Sequence, residues 1–232
     1  MKTPPKIVSE NRNRLLPDSN IYGLLMADQE LHKMHQKLEE NNSMICIYGF
    51  DVIRKELKKA PRKVIQGVNI QASLLHAYES FVKKEYVSSK KFEELAGEYY
   101  KTYSSLGGNF PKEKLLNDFL IVACASVKSI NIVVSEDNAT MCSELSKKAY
   151  TMVNKARSIP LPLFIGYKEF KIAILGRGFS NPIINSSNKL WVFLSLLNIF
   201  PLVLPFLHHT TIYHQVLFKY FVPNNTEVQT QG

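Results

Sequence analysis

Apolar residues along this chain fall into short continuous runs separated by stretches with helical spacing. Leu15–Pro17 is brief and stops at Asp18; Met44–Phe50 (MICIYGF), Ile130–Val134 (INIVV) and Leu161–Ile165 (LPLFI) repeat the form. Such runs, rich in β-prone residues, read as buried strands. Between them the period becomes helical. Leu24, Leu25, Leu31, Met34 and Leu38 mark a helix within 22–40, and Val52, Ile53 and Leu57 mark one after Asp51, a candidate N-cap. A helix over 112–128 contains LLNDFLIVACAS, and another carries Met141, Leu145, Ala149 and Met152. The segment 64–106 is helical in period, rich in Tyr and Lys, and stops at Gly107-Gly108; residues 1 to 14 read as a loose arm or an irregular first strand. Strands that are apolar throughout, alternating with helices, predict an α/β chain whose parallel sheet is covered on both faces.

Past residue 171 the pattern changes. Only Arg177, Lys189, Lys219 and Glu227 carry formal charge there, so +7 of the chain's +9 belongs to the first 171 residues. The expected organisation is one domain over 12–171, with a helical insert at 64–106, and an apolar, helical C-terminal extension over 172–232. Within the extension, Leu190–Leu207 approaches the minimum length of a membrane span, but Pro201 and Pro205 interrupt it and Asn198 is polar. A membrane anchor, a helix docked on the domain or on a second subunit, and a tail with no stable fold of its own are all open readings.

The N-terminal MKTPPKIVSENRNR lacks the apolar core of a secretory signal. Cys46, Cys124 and Cys142 have neither a disulfide pattern nor zinc-ligand spacing, which fits buried thiols in a reducing cytoplasm. Association with a membrane through 190–207 is the alternative location. A pI near 9.3 favours polyanionic partners, either nucleic acid or an anionic membrane face. No Gly-rich phosphate loop is present, which argues against nucleotide hydrolases and dehydrogenases. His32 and His35 lack a matching third ligand.

Four acids fall where an open parallel sheet places its ligands, at the carboxyl ends of strands. Asp18 directly follows the first strand, and Asp137 follows INIVV after Ser135 and Glu136. Glu56 lies one turn into the helix after MICIYGF. Asp118 is set among Leu115, Leu116, Phe119, Leu120 and Val122, where solvation explains it poorly. Carboxylates drawn together repel unless a cation neutralises them, and an all-oxygen cluster suits Mg²⁺ or Mn²⁺. Two such ions, about 3.5–4 Å apart, activate water and stabilise the leaving oxygen in phosphodiester cleavage. Simpler readings exist for three of the acids. Asp18 in DSN suits an Asx turn or N-cap, Glu56 in RKELKK a solvated position with i,i+4 pairs, and Asp137 a helix start.

In order, LLPDSNIY (15–22), DVIRKEL (51–57), LLNDFLIVACAS (115–126) and VVSEDNATM (133–141) resemble the four motifs of the PIN-domain nuclease family, prokaryotic and archaeal type. The resemblance spans about residues 12–170. It implies a Rossmann-like, three-layer α/β/α domain with a central parallel sheet. It also implies a ribonuclease that hydrolyses single-stranded RNA through an acidic cluster, Mg²⁺ or Mn²⁺, and metal-activated water. By position, Asp18, Glu56, Asp118 and Asp137 become catalytic residues and metal ligands, with Asn20 and Ser135 orienting them. Thr140 stands near a further family acid, which implies weaker binding of a second metal. In the 64–106 segment, Lys83, Lys84, Lys90, Lys91 and Lys101, with Tyr86, Tyr99, Tyr100 and Tyr103, are candidates to grip RNA by charge and stacking. A solvated helical hairpin serves those residues equally well. The alternative functions are a catalytically weak RNA-binding or assembly module, and the toxin of a toxin–antitoxin pair with an antitoxin or homodimer partner.

Overall fold

The chain is described by a computed structural model over residues 12–40, 44–65 and 67–176. It divides into two units, Met1–Ser180 and Asn181–Gly232, and all described residues belong to the first. The apolar run 190–207 and the expectations attached to it lie outside the described residues. Among those residues, no helix is long and apolar enough to cross a membrane.

Strand β1 (Asn13–Pro17) leads into helices α1 (Ser19–Ala27) and α2 (Leu31–Glu40), and β2 (Ile45–Phe50) runs straight into α3 (Asp51–Leu57). A small antiparallel hairpin, β3 (Val64–Ile65) and β4 (Val68–Asn69), precedes α4 (Ile70–Phe81). Then come β5 (Lys84–Tyr86), the long helices α5 (Lys90–Ser105) and α6 (Lys112–Val127), and β6 (Ile132–Val134). The described part ends with α7 (Glu144–Arg157), β7 (Leu163–Ile165) and α8 (Tyr167–Leu175).

Five strands form one parallel sheet in the order β5-β2-β1-β6-β7, flanked by helices in a three-layer α/β/α arrangement. The middle strands are the apolar runs of the sequence. Leu15 and Leu16 are neighbours, so they point to opposite faces, yet both are wholly buried. Helices must therefore cover both sides of β1. The outer strands β5 and β7 have three residues each, and Pro160 and Pro162 stand just before β7.

This strand order contains a switch point. The chain leaves β1 toward β2 and β5 on one side, then returns through α5 and α6 to β6 on the other. Where successive connections diverge, the loops at the carboxyl ends part and leave a crevice. Asp18 directly follows β1, and Ser135–Asp137 directly follow β6. The two ends are stitched together, because Asp18 N–H donates to Val134 O at 2.9 Å, and the β6 end is tied in turn to β7 by Ser135 N–H donating to Ile165 O at 3.0 Å.

Several local expectations change. The helical pattern of 22–40 is cut in two at Asp28, whose N–H donates to Leu25 O and whose carboxylate accepts from Glu30 N–H at 2.8 Å. Asp51 does not cap α3: Phe50 holds that position, and no side chain caps it. The Asp51 carboxylate instead accepts from Ser88 N–H at 3.0 Å and Ser88 Oγ at 2.6 Å, and pairs with Lys55 at 2.7 Å. Residues 84–86 (KEY) interrupt the helical stretch 64–106 and join the main sheet beside β2. The three cysteines are free, with Cys124 and Cys142 buried.

Gly49 lets β2 sit close to α4. A Cβ there would stand 2.1 Å from Tyr78 Oη and 2.8 Å from Val82 Cγ1. Tyr78 is fully buried, and its hydroxyl donates to Glu85 at 2.6 Å. Gly49→Ala is therefore expected to lower stability by about 1–3 kcal/mol in chemical denaturation, the usual cost of overpacking. An unchanged midpoint would show that Tyr78 yields without loss.

Candidate acidic site

Asp18 is 5% exposed, and each carboxylate oxygen has its own donors. Oδ1 accepts from Ser19 N–H at 2.6 Å, while Oδ2 accepts from Asn20 Nδ2 at 2.7 Å and Ser135 Oγ at 3.0 Å. Asp18 thus does cap α1, but capping uses only one oxygen. The rest of its environment ties β1 to the loop after β6, since Asn20 Nδ2 also reaches Ser135 Oγ at 3.3 Å.

On the β6 side, Asp137 N–H donates to Ser135 Oγ at 3.1 Å. Asp137 Oδ1 accepts from Ala139 N–H at 2.9 Å and Thr140 N–H at 2.8 Å, closing an Asx-type turn. It does not start the next helix: Ser143 caps α7, accepting from Ser146 N–H. The turn aims the buried Thr140 hydroxyl at two carboxylates, Asp118 Oδ2 and Asp137 Oδ2. A hydroxyl has one proton and cannot serve two ionised acceptors. When Asp118 keeps its proton, it donates to Thr140 Oγ1, which then donates to Asp137, and all three oxygens are satisfied.

Glu56 makes none of the i,i+4 ion pairs that a solvated helix position suggests. Its Oε1 accepts from Asn117 Nδ2 at 2.6 Å, linking α3 to α6. Asn117 and the Thr140 bridge were not singled out by sequence as parts of the site. The available signal was the polar pair Asn117-Asp118 inside LLNDFL. Successive helical side chains diverge by about 100°, and here one reaches α3 and the other the loop after β6.

Electrostatics unites these groups. Burial raises Asp18 to about 7, helped by the charges of Glu56 and Asp137 and opposed by the bonds from Ser19 and Ser135. Burial likewise raises Asp118 to about 8, with Asp18, Asp137 and Glu56 adding repulsion and Thr140 opposing it. Asp18 and Asp118 therefore both feel Glu56 and Asp137, and Asp118 feels Asp18 as well. Elsewhere buried or crowded acids are neutralised by cations: Asp28 by Lys171, Asp51 by Lys55, Glu85 by Arg54 and Glu98 by Arg157. Among the described residues, none of the four clustered acids is in an ion pair.

The donor chemistry fits a hard divalent cation, being carboxylate oxygen throughout and short of positive charge. The arrangement is not a finished cage. Among the described residues, no group of three or more Asp, Glu, His or Cys side chains is set to hold a metal ion as it stands. Ser19, Asn20, Ser135, Thr140 and Asn117 hold the carboxylates instead.

The five candidate RNA-binding lysines, Lys83, Lys84, Lys90, Lys91 and Lys101, are exposed and divide between the β5 segment and α5. Lys90 lies 4.0 Å from Glu94, and Lys91 lines a shallow cleft with Leu95, Val127, Arg157 and Ile159. Stacking by Tyr99 and Tyr103 is ruled out, because both are core residues. Tyr99 packs on Phe119 and Tyr150, and its hydroxyl donates to Asn154 Oδ1 at 2.6 Å.

No protein-family model matches the chain, and no curated protein matches it either. Solved structures similar to it include VapBC2 from Rickettsia felis bound to a DNA fragment from its promoter, at 14% identity and a TM-score of 0.41. The match covers 66% of this chain and 97% of that one. DNA-bound VapBC from Salmonella typhimurium is similar at 11% identity and a TM-score of 0.40, covering 66% and 98%. Likeness this distant assigns no role to any residue.

The raised carboxyls predict an unusual pH profile without metal. A group whose pKa rises on folding adds stability below its unfolded value, and that contribution is lost as pH climbs through the folded value. Asp18 and Asp118 should therefore make the EDTA-treated protein more stable at about pH 5 than at about pH 8. Acids lowered by ion pairs, such as Asp28 and Glu98, titrate below that window. Asp118→Asn should flatten the profile and raise Tm at the alkaline end by roughly 5 °C. A parent protein that is more stable at the alkaline end would contradict the burial of uncompensated charge.

Proposed function

We propose that this chain is a divalent-metal-dependent nuclease that hydrolyses phosphodiester bonds of single-stranded RNA. One observation carries the reading: Asp18 and Asp118 lie at the switch point of a parallel sheet, burial and the charges of Glu56 and Asp137 push them up to about 7 and 8, and neither has an ion-pair partner among the described residues. Isolated buried carboxylates are costly, and groups with such shifts in a crevice cluster at functional sites. The ordered resemblance to the four PIN motifs agrees with the same four residues.

In this reading Asp18, Asp118 and Asp137 hold Mg²⁺ or Mn²⁺, with Glu56 in support. When bound, such an ion supplies charge for the phosphate oxygens and lowers the pKa of water. The chain's own contribution is orientation. Asn20 and Ser135 fix the Asp18 oxygens, Thr140 sets the spacing of Asp118 and Asp137, and Asn117 fixes Glu56. A bound cation would offset the burial, and the lesser repulsion from neighbouring acids, that raise Asp18 and Asp118.

A second reading, an RNA-binding module that keeps the fold without turnover, is favoured by the lack of a ready-made metal-holding group among the described residues. The toxin role, with an antitoxin or a second copy as partner, rests on the sequence resemblance. Cleavage of labelled single-stranded RNA in Mg²⁺, Mn²⁺ or EDTA separates turnover from binding. Turnover should require the ion, and Asp118→Asn should lose at least about 100-fold while retaining the parent circular dichroism spectrum. Equal cutting by the variant, or by the parent in EDTA, sinks the nuclease reading.

A further inference from the structure

A second charged locus lies lower on the same sheet. Tyr48 of β2 and Tyr86 of β5 stack at 5.4 Å with planes 10° apart. Three cations gather on them. The Arg14 guanidinium sits 4.9 Å from the Tyr48 centroid, and its Nη2 donates to Tyr86 Oη at 3.3 Å. Lys84 Nζ and Lys128 Nζ lie 5.4 Å and 5.2 Å from the Tyr86 centroid. They come from β1, β5 and the end of α6, so the fold, not local sequence, assembles them.

Among the described residues, none of the three is in an ion pair, whereas Arg54, Lys55, Arg157 and Lys171 each have a carboxylate. Arg14 Nε is buried and makes no hydrogen bond. Ring faces offset only part of the repulsion among three neighbouring positive groups. The rings are themselves covered, by each other and by the cations, so the surface presents charge rather than an open stacking platform.

We infer that Arg14, Lys84 and Lys128, braced on Tyr48 and Tyr86, form a docking site for the phosphate backbone of a single-stranded nucleic acid. Charge complementarity selects a polyanion. A nucleic acid is favoured because the same strand, β1, ends at the acidic site: Arg14 precedes Asp18 by four residues, about 13 Å of extended chain. This choice of partner rests on the nuclease reading; the cation cluster itself does not. Lys84 was among the lysines singled out by sequence, whereas Arg14 and Lys128 lie far from it in the chain.

The test uses the full chain in EDTA, where cleavage cannot confuse binding. Fluorescence anisotropy of a labelled oligouridylate of about 20 nucleotides, followed against salt, reads affinity and the number of phosphates engaged. Lys84→Glu/Lys128→Glu should weaken binding at least about 10-fold and reduce the salt slope by about 1 to 1.5. Lys84→Gln/Lys128→Gln should fall between, guarding against misfolding of the reversed pair. Lys148→Glu/Lys168→Glu, at exposed lysines elsewhere, should change affinity less than about 3-fold. Parent-like binding by both Lys84/Lys128 variants, or an equal loss in the Lys148/Lys168 control, overturns the proposal. So does loss of binding to phosphatidylserine vesicles with RNA affinity intact. RNA held at this site but never cut in Mg²⁺ or Mn²⁺ would refute the nuclease reading alone.

Discussion

Carboxyl groups drawn out of water, with no counter-ion among the described residues, are the constraint around which this domain is built. Asp18, just after β1, and Asp118 of α6 both feel the charges of Glu56 and Asp137, and burial pushes these two carboxyls up to about 7 and 8. Such a cluster persists only because the surrounding packing outweighs it. Leu15, Leu16, Val133, Ile121 and Ala123, all essentially excluded from solvent, clamp the strands and the helix that carry the acids. The hydrogen bonds from Ser19, Asn20, Ser135, Thr140 and Asn117 then decide where each oxygen points. Core packing and polar scaffolding thus hold the carboxyl groups in place against the cost of burying them.

The two charged loci divide the sheet between them. Acids gather where β1 and β6 end, while Arg14, Lys84 and Lys128 gather on the β1–β2–β5 side. Asp18 and Arg14 share one strand, so a polyanion drawn by the cations lies close to the carboxylates without neutralising them. An acidic pocket alone would repel a phosphate backbone; the neighbouring positive surface offsets that repulsion.

Legibility in the sequence followed the strength of the physical signal. The middle strands were visible because burial on both faces makes them apolar throughout. Asp118 stood out because a charge among Leu115, Phe119 and Leu120 has no solvation excuse. β5 was hidden, since three residues reading Lys-Glu-Tyr carry no strand period and pair only because β2 offers a free edge. Tyr99 and Tyr103 misled for a different reason. A tyrosine with a buried ring reads the same in sequence as one facing solvent. Asn117 and the bridging role of Thr140 are invisible in sequence because they rest on contacts 61 and 22 residues away.

The short outer strands have a consequence of their own. Among the described residues β7 forms one margin of the sheet with three residues, and two prolines just ahead of it have no N–H to give. β5, at the opposite margin, is equally brief and bears a lysine. Margins this abbreviated are poor templates for an incoming extended peptide, so the sheet resists growing by edge-to-edge aggregation despite its apolar centre.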